Sequence, residues 1–243
     1  MSDIITIGVI GLGNAGSPIL NNLLKAKKYN LVAFDVDKNK LNNVPNDVIK
    51  ADSIKDLAEK CNTVLTCLPK PEHVLKAVDG ENGLLQNASS GMIWIDTSTT
   101  DFKQTQKLAA KAKTYGVSML EATLTGGVHA LQNNNMVCLA GGDKEIFNNW
   151  KEVLQDAIGE VVVLCGEIGA GAIAKVVSNM LAFTNMVAAS ECMMIAKRAG
   201  LDLESFFDAI RVSAGNSFAW ETVVPHIFNQ KYEAGFTMDL ACK

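Results

Sequence analysis

The feature that most constrains this chain is the hexapeptide Gly11-Leu12-Gly13-Asn14-Ala15-Gly16. It stands directly behind the β-branched run Ile4–Ile10 and ahead of a helical pattern over Ser17–Lys27. A G-x-G-x-x-G between a strand and a helix builds a dinucleotide-binding turn. Gly11 permits the tight turn, Gly13 lets the backbone approach a pyrophosphate, and Gly16 packs the helix against the strand. The helix N-terminus then offers unpaired N–H groups and a partial positive charge to the phosphates. Pro18 fits, because the first turn does not need its missing N–H. Glycine-rich turns are common, but this one has an acidic residue ending the next strand pattern, Asp35 in Val32-Ala33-Phe34-Asp35. A carboxylate there accepts from both ribose hydroxyls and repels a 2′-phosphate, so the expected cofactor is NAD, with NADP disfavoured. Lys38 and Lys40 soften that preference. The cofactor residues read from this block are Gly11, Leu12, Gly13, Asn14, Ala15 and Asp35.

The first two-thirds of the chain alternate short β-branched runs with helical patterns, the signature of a parallel sheet wrapped by helices. Strands are predicted at Ile4–Ile10, Leu31–Asp35, Thr63–Leu68, Met92–Asp96, Ser118–Leu120, Met136–Ala140 and Val161–Leu164. Helices such as Ser17–Lys27, Ser53–Lys60 and Phe102–Tyr115 lie between them. Strand character stops near Gly166. From Ala172 to Ala199 there is no proline or glycine, Gly200 is placed to end a helix, and helical stretches follow at Leu203–Arg211 and Ser217–Asn229. The expectation is therefore an α/β protein. A doubly wound Rossmann domain over 1–166 precedes an all-helical domain over 167–243.

Composition excludes several classes. A formal net charge of −4 without a dense basic stretch argues against nucleic acid as a partner. Six cysteines show no C-x-x-C pair and no zinc spacing, and most lie in apolar runs such as Val161–Cys165, so reduced, buried thiols in a reducing compartment are expected. The N-terminus enters its first strand without the basic start and cleavage site of a signal peptide, which favours a cytoplasmic location. The uncharged stretch Val176–Ser190 is shorter than the roughly twenty residues of a membrane span. It contains Ser178, Asn179, Thr184 and Asn185, and is read as a buried helix with no membrane partner.

Four further blocks extend the pattern: Leu65-Thr66-Cys67-Leu68-Pro69, Ile95-Asp96-Thr97-Ser98-Thr99, Glu121-Ala122-Thr123-Leu124-Thr125-Gly126-Gly127, and Gly169 to Asn179. With these the whole chain resembles the β-hydroxyacid dehydrogenases, the family of 3-hydroxyisobutyrate dehydrogenase and tartronate semialdehyde reductase. The resemblance implies interconversion of a small β-hydroxy acid and its semialdehyde. Leu68, Pro69 and Thr99 would line the cofactor, and Thr125, Gly126 and Gly127 would hold the substrate carboxylate. Lys175 would be the catalytic lysine, and Asn179 would assist it. This chain departs from the family pattern at Ala15, Glu121, Thr123, Thr125 and Ser178. The last residues resemble the family stretch leading to a lysine that reaches the cofactor–substrate cleft, here Lys243. Members continue for several more helices, so the 243 residues are expected to be part of a longer enzyme, with an incomplete helical domain that associates with further copies.

The residues support that chemistry on their own terms. Lys175 and Asn179 are four apart on a helix and share a face. A lysine in an otherwise apolar helix is costly unless paired or functional. Burial favours its neutral form and brings it toward proton exchange near neutral pH. Lys175 is expected in the first turn of that helix, where the dipole also disfavours a cation. Two other readings remain at this level. A dinucleotide sensor without turnover needs the glycine loop but not Lys175, and imine reductases of the same fold usually replace that lysine.

Overall fold

The computed structural model describes residues 4–126 and 128–229. Its elements are β1 (Thr6–Ile10), α1 (Gly16–Ala26), β2 (Asn30–Phe34), α2 (Lys38–Asn42), β3 (Ile49–Lys50), α3 (Ile54–Lys60), β4 (Thr63–Thr66), α4 (Pro71–Asp79), α5 (Leu84–Asn87), β5 (Ile93–Asp96), α6 (Phe102–Thr114), β6 (Ser118–Thr125), α7 (Val128–Gln132), β7 (Val137–Gly142), α8 (Lys144–Ala157), β8 (Val162–Leu164), α9 (Ala170–Arg198), α10 (Leu203–Arg211) and α11 (Phe218–Phe228).

Among the described residues the strands form one sheet in the order β3-β2-β1-β4-β5-β6-β7-β8. The chain winds one way from β1 through β2 to β3, then returns to β4 on the other side of β1. That reversal opens a crevice at the C-terminal ends of β1 and β4, where open α/β sheets bind ligands. β4 and β5 are buried at every position, as a strand covered on both faces requires. β1 divides its side chains by strand alternation. Ile7 and Val9 join one core, and Ile10 joins the other with Val64 and Trp94.

The parallel-sheet expectation needs one correction. β7 runs antiparallel to β6, and β8 is parallel to β7. Among its described residues the 126–136 connection holds the five-residue α7, and the whole connection is shorter than the crossover that a parallel pair demands. β6 also runs past the predicted Leu120 to Thr125, because Ala122–Thr125 pairs residue by residue with β7. Cys165 is exposed rather than buried. It follows β8, the edge strand, whose Val163 is exposed as well.

The chain divides into two compact units, Met1–Lys175 and Val176–Lys243. Strand character ends near 166, but the first turns of α9 pack on β6 and β7 and belong with the sheet. In the second unit, Trp220 packs edge-on to Phe206 at 5.7 Å and stacks on Phe207 at 6.0 Å, while Nε1–H donates to the Phe207 carbonyl. These rings, with Ala189, Met193 and Val224, form the second unit's core.

The expected burial of α9 is not found. Val176, Met180, Leu181, Val187 and Ile195 are each more than half exposed. The helix has 29 residues, is long and apolar enough to cross a membrane by length and composition, and has 11% of its most apolar stretch buried. Among the described residues of its unit, the buried contacts of α9 centre on Ala189 and Met193, where α10 and α11 contribute the aromatic cluster.

Candidate active site

The glycine loop leaves β1 with Gly11 at φ +96°, where its N–H donates to the Phe34 carbonyl at 2.9 Å. A Cβ on Gly11 would stand 2.4 Å from the Cys67 carbonyl oxygen, and one on Gly16 would stand 1.8 Å from the Gly11 oxygen. No other residue fits either position. A Cβ on Gly13 would meet no atom within 4 Å, so this glycine faces open space. Among the described residues no hydrogen bond engages the N–H groups of Gly13, Asn14 or Ala15. Free donors at the start of α1, beside an open glycine, fit a dinucleotide pyrophosphate. The adjoining cleft of about 580 Å³ is lined by Leu12, Gly13, Asn14, Ser17, Pro18 and Lys40, among others.

Asp35 is buried beside this loop. Its Oδ2 accepts from the Leu12 N–H at 2.7 Å and from Lys40 Nζ at 3.3 Å, while Oδ1 accepts from the Asp37 N–H at 2.8 Å. The residue expected to meet ribose therefore also ties the glycine loop to β2, a task not visible in the sequence.

Next along the crevice, the Leu68 N–H donates to Ser98 Oγ at 2.9 Å, which joins the segments after β4 and β5. Ser98 is set in turn by Asp96, whose Oδ1 accepts from the Ser98 N–H at 3.0 Å and from Thr66 Oγ1 at 2.8 Å. Trp94 Nε1–H donates to that same Thr66 hydroxyl, so Trp94 is packing and scaffold. Burial pushes the Asp96 carboxyl up to about 6, and the neighbouring Glu121 charge adds to the rise. Leu68 and Thr99 are half-buried and Pro69 is exposed, all following strands that end at this edge.

At the end of β6, Thr125 is half-buried and Gly126 adopts φ +127°. Gly127 and Lys243 lie outside the described residues. Earlier in β6, Glu121 stands in register with Asp96 of β5 and Gly141 of β7. Its buried carboxylate accepts from the Gly169 N–H, and from the Ala172 N–H at 3.1 Å, at the very start of α9. Thr123 Oγ1 lies 2.9 Å from the Leu139 carbonyl and 3.1 Å from that of Gly171. The two departures at 121 and 123 thus both serve to seat α9. Sequence reasoning missed this function, although an acidic residue inside an apolar strand was a usable signal.

Lys175 falls in the second turn of α9, not the first, because the helix begins at Ala170. It is half-buried, and burial pulls its ammonium below the ordinary lysine range. Among the described residues its side-chain amine has no hydrogen-bond or ion-pair partner. Asn179 follows one turn on along the same helix and is half-buried. The glycine-loop cleft is lined by neither Thr125 nor Lys175, so the structure groups the loop residues with one another and leaves the strand-end hydroxyl and the desolvated amine as separate features.

Comparison with known proteins agrees with this chemistry. The family model for the NAD-binding domain of 6-phosphogluconate dehydrogenase matches residues 6–166, and that for the NAD-binding region of NADP-dependent 3-hydroxyisobutyrate dehydrogenase matches residues 169–243. A relative in Dictyostelium discoideum, a probable mitochondrial 3-hydroxyisobutyrate dehydrogenase, is 32% identical over 221 residues, covering 90% of this chain and 68% of the relative. The 3-hydroxyisobutyrate dehydrogenase of Mycobacterium tuberculosis, solved with L-serine, superposes with a TM-score of 0.90 at 27% identity, covering 98% of this chain and 83% of that one. An imine reductase from Myxococcus stipitatus, solved with NAD+, has a TM-score of 0.76 over 93% of this chain and 74% of that one. At 14% identity it shares the fold alone.

Proposed function

The chain belongs to the β-hydroxyacid dehydrogenase family, and from that premise we propose that it interconverts a small β-hydroxy acid and its semialdehyde with Lys175 as the proton-transfer group. The observation that carries this reading is Lys175 itself, half-buried, unpaired and shifted toward its neutral form. The bound nicotinamide cofactor supplies the hydride acceptor in oxidation and the donor in reduction. Thr125, Gly126 and Gly127 hold the substrate carboxylate, and Asn179 orients the reacting oxygen. In oxidation the neutral Lys175 amine removes the hydroxyl proton, and in reduction its ammonium returns one. A sensor would have no use for a desolvated amine, and an imine reductase would have no need of this lysine.

Relatives named for 3-hydroxyisobutyrate, and one solved with L-serine, point to compact three- or four-carbon hydroxy acids as substrates. The Asp35 carboxylate favours NAD over NADP. The exposed apolar face of α9 favours association of the chain with further copies.

Lys175→Met tests the central claim. NADH binding should stay near wild type while kcat for 3-hydroxyisobutyrate oxidation falls roughly 10²–10⁴-fold. In the unmutated enzyme oxidation should gain rate as pH rises through the lysine's lowered pKa, and reduction should lose it. A variant that keeps more than half of the wild-type kcat removes Lys175 from the mechanism.

A further inference from the structure

We propose that Glu121 is the residue that positions Lys175 for proton transfer. The inference rests on Lys175 as the proton-transfer group. Glu121 is 2% exposed, and its carboxylate gathers the N–H groups of Gly169, Gly171 and Ala172, the donors that the first turn of α9 leaves unpaired. Room for it is made by glycine. A Cβ on Gly141 would lie 2.3 Å from Oε2, and one on Gly171 would lie 3.2 Å from the Glu121 Cβ and 2.9 Å from the Leu139 oxygen. Strand pairing on both sides fixes the arm, with Asp96 opposite on β5 and Gly141 opposite on β7. One carboxylate thus determines where α9 begins, and so where its second turn carries Lys175.

The proposed role of Glu121 includes its charge. The N-terminus of a helix is positive and disfavours a nearby ammonium. A buried carboxylate at that terminus offsets this field. Other titratable groups around Glu121 are Asp96 on β5 and Cys165 after β8, while α6 presents the Phe102 ring against Gly169. Asp96 titrates at about 6, so measurements above pH 7 keep it ionised. Cys165→Ser removes that thiol.

The test compares Glu121→Gln, Glu121→Asp and Lys175→Met in NAD-dependent oxidation of 3-hydroxyisobutyrate across pH 7–10.5. Glu121→Gln should bind NADH within about twofold of wild type, lose kcat roughly tenfold to a hundredfold through misplacement, and move the rising limb of its pH profile to lower pH. The Glu121→Asp variant keeps the charge on a shorter arm, so its limb should stay in place while kcat falls. Cys165→Ser should leave the limb where it is. An inactive Lys175→Met beside a Glu121→Gln variant with wild-type kcat and an unmoved limb would overturn the role of Glu121 alone. A fully active Lys175→Met would overturn both readings. If Glu121→Gln fails to bind NADH, Glu121→Asp decides, and wild-type kcat in that variant rejects the proposal.

Discussion

At Asp35 one carboxylate holds the Leu12 N–H, the Asp37 N–H and the Lys40 ammonium at once. Its charge therefore tethers the glycine loop, and in the proposed function it also meets the cofactor's ribose. Asp35→Ser should narrow the ratio of kcat/KM for NAD over NADP, and should also weaken NAD itself because the loop loses its tether. Kinetics with both cofactors checks this, and a wild-type enzyme that prefers NADP would give control of the site to Lys40. Asp96 carries a different liability. Its carboxyl is raised to about 6 from an ordinary 3.8, so the folded protein binds this proton more tightly than the unfolded chain does. Stability should therefore fall as pH rises from about 4 to about 6, by up to roughly 3 kcal/mol from this group. Asp96→Asn keeps an acceptor for Thr66 and Ser98, and its stability relative to wild type should grow across that window. Urea titrations at pH 4.5 and 7 measure the difference. At this scale the sequence exposed Lys175, Asp35 and the glycines, whose chemistry is local. It concealed Glu121, whose partners Gly169 and Ala172 are far along the chain and meet it only through strand pairing.

Elements were legible where one physical signal dominated. α1, α3 and α6 fall within a residue or two of prediction because apolar residues recur at helical spacing. For α3 and α6, Ser53 and Asp101 also cap the first turn through the N–H groups of Asp56 and Gln104. Buried parallel strands such as β4 and β5 declare themselves through short apolar stretches, Val64-Leu65 and Ile93-Trp94-Ile95. β3 escaped because two residues make no pattern. The far half of β6 escaped because Thr123 and Thr125 read as loop residues until β7 pairs with them. α9 was located within two residues of its start, but its surroundings were misjudged. An apolar helix reads as buried whatever the structure offers to cover it.

At the scale of the whole molecule that uncovered face has a consequence. Val176, Met180, Leu181 and Val187 present apolar surface along one helix, and such surface drives association. Leu181→Lys, at a site 59% exposed, should change unfolding free energy by less than about 0.5 kcal/mol and should reduce self-association in size-exclusion chromatography with light scattering. A loss of 2 kcal/mol or more, the range for a buried leucine, would show the face to be covered within one chain. The strand–glycine-loop–helix unit, the acidic end of β2 and the helices α1, α3 and α6 were determined by the sequence alone, because each follows from neighbours a few residues apart. The reversal at β7, the register that sets Glu121 beside Gly141, and the seating of α9 on β6 were decided by the tertiary structure. Those depend on which distant backbones share hydrogen bonds, and no local periodicity records that choice.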